Sequence, residues 1–333
     1  MMADPQENAT RLRILFARVA LAAAALTFVV IVASAFMRHT QAGLACADWP
    51  ACYGRMEVSG GDALPSIEVR VARIAHRLAA TSVLALVIGL LLVAWTQKPA
   101  WKRVGSLALA ALIVAAALAV LGLATPGSRI PAVTLGNLLG GYLMLALLSA
   151  AATAAPAGSR IGPGPGILRA EPLGGAALAL LPLAILLLAF VHAASGGVIG
   201  AQYALTACPM LAGCPGFSFG ELLEAGALHP FRELSVVDGR VVPPPGAAGL
   251  HTIHRSLGIA VASATLALAY RIRRSDRHAA LLLVALAVGA LFLGAAMIAG
   301  MPSLPLTVLH NAAAATLVAA LAFLAARGAP SQP

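Results

Sequence analysis

Eight runs of about twenty apolar residues divide this chain of 333 residues, at roughly 14–37, 71–95, 104–124, 131–154, 174–199, 250–271, 278–299 and 304–326. A run of that length crosses a bilayer as a helix. In hydrocarbon, a lone segment can pair all of its backbone groups only by becoming one. The expected fold class is therefore all-α integral membrane, with eight transmembrane helices. Composition supports this where it counts. Only 10% of the residues are charged, against about 25% in a soluble domain, too few to cover a water-soluble globule. The formal charge of +10 does not point to nucleic acid, because few aromatic residues accompany the basic ones and most of these sit at the ends of apolar runs. The first run is too long for a signal-peptide core and no small-residue cleavage site follows it. It reads as a retained first helix.

The loops separate by charge. Arg11, Arg13 and Arg18 precede or enter the first span. Lys98, Lys102 and Arg103 lie between the second and third, Arg160 and Arg169 between the fourth and fifth, and Arg271, Arg273, Arg274 and Arg277 between the sixth and seventh, while Arg327 follows the last. All fall on one side, which the positive-inside rule makes cytoplasmic, so both termini are expected inside. The other side carries two long loops, and these hold all four cysteines: Cys46 and Cys52 in the first, Cys208 and Cys214 in the second. An outward compartment permits disulfides. Four cysteines allow three pairings, and the repeated spacing favours one local bridge per loop over four unpaired thiols. Such a bridge would serve as a structural clip or as a labile redox pair.

The spacing is part of a larger repeat. Each half reads as a helix, a cysteine loop, a helix opening with His-Arg, and two further helices. His76-Arg77 matches His254-Arg255. A duplicated four-helix unit follows, predicting two tandem four-helix bundles: residues 1–155, a cytoplasmic Gly/Pro-rich linker at 156–172, and residues 173–333.

His76, His254 and His310 each lie within about two turns of the outer end of their helix, at similar depth for a rise of 1.5 Å per residue. His254 and His310 are therefore expected to face each other across the second bundle, as ligands do in helical bundles. Intramembrane polar residues are functional candidates by default; the competing reading is polar contact between helices. Two imidazoles leave tetrahedral zinc short of ligands. They suffice for haem, whose macrocycle supplies the other four nitrogens, and the small residues Ala312 to Ala315 would let a flat ring approach. Arg255 and Arg77 are expected near haem propionates, and His251 to cap or to bond one. His192 reads as polar packing or a supporting group, and His39, His229 and His278 as loop or interface residues. In the first half, either Gly136 or Asn137 takes the place of His310, so that half offers His76 alone. A doubly ligated haem suits electron transfer, and an open iron position suits oxygen or substrate chemistry. An emptied site is the alternative for the first half.

Taken together, the segment from Gly43 to Gly54 with its Asp48-Trp49-Pro50, the two His-Arg helix starts, Tyr203 to Cys214, and Leu304 to Asn311 resemble the haem A synthase family along the whole chain. The first half departs from that family's pattern. Gly136 or Asn137 stands where a second histidine is usual, and Arg73 stands where a glutamate often precedes the first His-Arg, with Glu68 out of register. The resemblance implies oxidation of the methyl group of haem O to the formyl group of haem A for cytochrome oxidase biogenesis. It also implies a haem b cofactor on His254 and His310, haem O near a catalytic His76 whose imidazole would meet the substrate iron, and the disulfides Cys46–Cys52 and Cys208–Cys214. Expected partners are a haem O synthase, oxidase assembly factors, membrane lipid and a second copy of the chain. The expected location is the bacterial cytoplasmic (inner) membrane. Two other readings remain: a non-catalytic haem b protein that relays electrons or delivers haem during oxidase assembly, and a transporter. The transporter is disfavoured because such sites lie near the midplane on broken helices.

Overall fold

Every apolar run becomes a helix in the computed structural model, which describes residues 5–46, 48–55, 66–97, 101–125, 128–154, 176–210, 214, 220, 226–300 and 302–328. The helices are α1 Pro5–Gln41, α2 Ile67–Thr96, α3 Lys102–Ala124, α4 Pro131–Ala154, α5 Ala176–Ala201, α6 Ala247–Ile272, α7 Arg277–Ala299 and α8 Leu304–Gly328. All eight are long and apolar enough to cross a membrane. Their large apolar side chains point outward in number; Leu123, Phe292, Val120 and Leu78 are mostly exposed. That is the pattern of a surface solvated by lipid tails. Inside, the helices meet through small residues such as Ala20, Ala23, Ala111 and Ala315, all fully buried, which let backbones approach closely where no hydrophobic effect drives association.

The pairing of helices repeats. In the first set α1 meets α2, α2 meets α3, α3 meets α4, and α4 closes on α1. In the second set α5 meets α6, α6 meets α7, α7 meets α8, and α8 closes on α5. Between the sets α4 packs on α8, while α1 meets α8 and α4 meets α5. Exchanging the sets maps these inter-set contacts onto themselves, as a duplicated unit requires. The sets share one core, with Phe16 and Leu145 of the first in the same cluster as Leu268 and Leu321 of the second. The expected linker at 156–172 lies outside the described residues.

Both ends of the molecule are tied. Where α6 turns into α7, the Asp276 carboxylate caps α7 by accepting from the Ala279 N–H and pairs with Arg327 of α8 at 3.0 Å. Nearby, Arg103 of α3 donates to the Ala326 carbonyl. The other end carries both cysteine loops, and the two interlock. Val236-Val237-Asp238-Gly239-Arg240-Val241 forms a two-strand hairpin, β1 Val236–Val237 and β2 Arg240–Val241, with Asp238 and Gly239 both at positive φ. This is the Asp-Gly turn chemistry that matches strand twist. The Val241 N–H donates to the Gly54 carbonyl and the Arg240 guanidinium to the Ala51 carbonyl. At the foot of the first loop, Gly43 takes φ +95, and a Cβ there would lie 2.8 Å from the Cys52 carbonyl oxygen. Only glycine lets the chain leave α1 and fold back so tightly. Under this cap Tyr53 is buried, and burial pushes its phenol above the ordinary range.

Candidate functional site

The inward faces of α5, α6 and α8 follow helical spacing. On α5 they present His192, Gly196 and Gly200; on α6, His251, His254 and Gly258; on α8, Thr307, His310 and Ala314. Each trio keeps to steps of three or four residues, so its members share one face. These faces enclose a cavity of 430 Å³, inside the range of roughly 300–1,000 Å³ typical of small-molecule sites. Among the described residues its lining includes five histidines (His39, His192, His251, His254 and His310), two arginines (Arg38 and Arg255) and no carboxylate.

His254 and His310 come together as expected, with ring centroids 6.3 Å apart. The His254 imidazole is held by its Nδ1. The Ser195 hydroxyl donates to the His192 carbonyl at 2.7 Å, which commits its one proton. Its oxygen, 3.0 Å from His254 Nδ1, must therefore accept, and the His192 carbonyl stands 3.3 Å from the same nitrogen. Two acceptors around Nδ1 assign the proton there and leave the Nε2 lone pair free, the arrangement that tunes a metal-binding histidine. The Nδ1 of His310 is sealed and makes no well-formed hydrogen bond among the described residues, although the Ala290 carbonyl of α7 is within the ring's reach. A ligand can reach that ring only through Nε2.

Space for these rings is carved by glycine. A Cβ on Gly196 would sit 2.7 Å from His254 Cε1, and one on Gly258 would sit 3.1 Å from His192 Nε2. Gly294 faces His310, where a Cβ would be in ordinary contact at 3.6 Å. Among the described residues no three His, Cys, Asp or Glu side chains converge as a metal cage. Two imidazoles therefore fit a metal that brings further ligands of its own. A metal–nitrogen bond of about 2 Å on each side sets ring centres roughly 6 Å apart, in keeping with the observed pair.

Arg255 and His251 also line the cavity, and each is bonded to the segment between α5 and α6. The Arg255 guanidinium donates to the Met210 and Cys208 carbonyls at 2.7 and 2.9 Å. It clamps the second cysteine loop over the cavity mouth. His251 Nε2 donates to the Ala204 carbonyl at 2.8 Å, tying α6 to the end of α5. Both cysteine pairs are bridged as the spacing favoured, Cys46 to Cys52 and Cys208 to Cys214. His76 is half-buried on α2 and does not line this cavity, and Arg77, Arg73 and Glu68 are exposed on the same helix.

Asn137 and Asn311 each donate from Nδ2 to the carbonyl four residues earlier, of Val133 and Thr307. Aligned on these asparagines, the two helices set Gly136 at the place of His310. The space is filled: a Cβ on Gly136 would lie 3.0 Å from Leu121 Cδ1, and one on Gly140 would lie 2.6 Å from Leu118 Cδ2.

Some cavity residues were not placed there by the sequence reading, while His192, read as polar packing or a supporting group, stands beside His254. His39, expected in a loop or interface, is 4% exposed on α1 and lines the cavity. α1 continues through Arg38-His39-Thr40-Gln41, beyond its apolar stretch. His192 stacks on His254, with centroids 4.2 Å apart and planes 15° from parallel. Tyr142 of α4 is buried in the wall, and its hydroxyl donates to the Asn311 carbonyl at 3.1 Å. A polar residue every three to four positions in an apolar run was the available signal for His192 and Ser195.

Fold and site together define a polytopic helical membrane protein with a histidine-lined cavity where two four-helix sets meet. The chain belongs to the COX15-CtaA family, described as cytochrome oxidase assembly protein, whose model matches residues 70–322. A curated relative, the haem A synthase of Shewanella oneidensis, is 28% identical over 316 residues, covering 89% of this chain and 91% of that protein.

Proposed function

We propose that this protein is a haem A synthase. It takes haem O as substrate and oxidises its methyl group to the formyl group of haem A for cytochrome oxidase biogenesis. The observation that carries the haem part is the His254–His310 pair, each ring presenting only Nε2 to one cavity. The reaction rests on the family and on the named relative.

Haem b would be held by His254 and His310. When bound between two imidazoles it supplies one-electron transfer rather than an open coordination position. Methyl to formyl is a four-electron oxidation by oxidation-state counting: with water as the oxygen source, the methyl group and one water give the formyl group, four protons and four electrons, and the electrons must leave to an acceptor outside the chain, so a site that passes electrons onward suits it. The protein's own part is to fix the two rings. Ser195 and the His192 carbonyl hold His254 as the Nδ1–H tautomer, Gly196 and Gly258 keep the space open, and Arg255 closes the loop over the top. His76 is the residue of the first half assigned to the substrate, with Arg77 at the rim. The charge distribution of the loops supports both termini in the cytoplasm and the bridged loops outside, and the haem A synthase reading assigns the chain to the bacterial inner membrane.

One observation favours a second reading, a haem b protein that serves oxidase assembly without catalysis. The position of the second histidine in the first half is Gly136 with Leu121 packed on it. Coexpression with a haem O synthase, followed by extraction and chromatography of the haems, separates the two. Haem A beside haem B is expected; haem B alone with unreacted haem O overturns the enzyme reading.

A further inference from the structure

The cavity among α5, α6 and α8 is completed by the first half of the chain. Arg38 and His39 of α1 and Tyr142 of α4 form part of its wall. Of the two arginines there, Arg255 spends one N–H of each terminal nitrogen on the Met210 and Cys208 carbonyls, which anchors it to the loop, while its Nε has no partner among the described residues. Arg38 is different. Among the described residues its guanidinium has neither an ion-pair partner nor a hydrogen bond. Its polar neighbour is Tyr142, whose hydroxyl proton is already given to the Asn311 carbonyl. Beside Arg38, the Nε2 of buried His39 also has no hydrogen-bond partner among the described residues.

A charged side chain inside a membrane is costly and is retained where it faces a partner or a pathway. Guanidinium is the side chain suited to planar, two-pronged recognition of a carboxylate. A cavity with this cation, no acid among its described lining residues and mostly apolar walls beside its histidines calls for an occupant with an apolar body and an anionic edge.

Resting on the haem reading above, we propose that Arg38 is the carboxylate-recognition residue of this site. The first half of the chain thereby supplies the counter-charge for the macrocycle that the second half ligates through His254 and His310. Arg38 is a binding and positioning residue here, acting on the propionate edge.

The test titrates full-length protein, purified free of haem, with haem b and with haem b dimethyl ester, whose carboxylates are blocked. The wild type is expected to bind haem b roughly tenfold or more tightly than the ester, as loss of a charge-assisted pair implies. Arg38→Gln should lose that preference while binding the ester as before, and Arg38→Lys should keep part of it. Retention of the full preference by Arg38→Gln overturns the proposal. So does an equal loss of both ligands by that variant, since Arg38 would then serve the fold. If the wild type binds neither compound, the haem reading itself fails and the proposal with it. If the wild type binds both equally, the cavity holds haem without reading its carboxylates, and only the proposal falls.

Discussion

The two halves of this molecule repeat the same helix pairings but treat the same interior position in opposite ways. In the second half, Gly196, Gly258 and Gly294 withdraw their own volume so that three imidazoles fit between the helices. In the first half the glycine is on the ligand's side, at Gly136, and a leucine from α3 occupies the space instead. Around this one position the second half is hollowed for polar rings, and the first is filled by leucine side chains. A duplicated scaffold therefore does not carry a duplicated histidine pair, and glycine positions, as much as histidines, tell the two apart.

The strongest way to break this comparison is to remove the rings. His254→Ala and His310→Ala should each lose most bound haem, read as pyridine haemochrome on purified protein, whereas His76→Ala should keep it. Equal retention in all three would place the site elsewhere. Filling the hollow comes next. Gly196→Ala drives a methyl group against His254, an overpacking worth about 1–3 kcal/mol, and should lower both haem content and thermal stability. Gly89→Ala, on α2 with nothing within 4 Å, is the matched control and should change neither.

Loss of the group behind a ligand is a subtler change. Ser195→Ala should weaken haem binding by about 10–100-fold with the chain still folded; an unchanged dissociation constant would remove Ser195 from the site. In the opposite direction, Gly136→His combined with Leu121→Ala should open the first half and raise haem content above that of the wild type, while Gly136→His alone should not. The smallest effect is expected from Tyr142→Phe, which deletes the bond to Asn311 across α4 and α8 and should cost about 1 kcal/mol in thermal unfolding.

Much of this was legible in the chain. Hydropathy located all eight helices because a lipid-crossing segment must be apolar almost throughout. The cysteine spacing located both bridges, and the depth of His254 and His310 along their helices brought them to one level. What escaped has physical reasons. Arg38-His39-Thr40-Gln41 is polar and looks like a loop, yet α1 continues through it: Arg38 and His39 line the cavity, and the Thr40 hydroxyl is satisfied by the Phe36 carbonyl of the same helix. Ser195, Gly196 and Gly258 are small residues in apolar runs, where a helix-packing role and a ligand-space role have the same sequence appearance. Hydropathy alone does not choose between Gly136 and Asn137, because both fit the same turn of an apolar helix; alignment on the asparagine side chains favours Gly136. The Asp238-Gly239 hairpin was a readable signal, masked by the attention that four cysteines draw.

The shared core and the mixed cavity wall have a consequence for how the protein melts. A ligand that binds only the folded state adds to stability according to its free concentration over its dissociation constant. Here such a ligand would touch α1 and α4 as well as α5, α6 and α8, so its stabilisation cannot be confined to the half that ligates it. Loading the cavity should move a single cooperative transition for the whole molecule upward, and disrupting Tyr142 or Arg38 in the half without the ligating pair should be felt as a lower melting temperature of the loaded form.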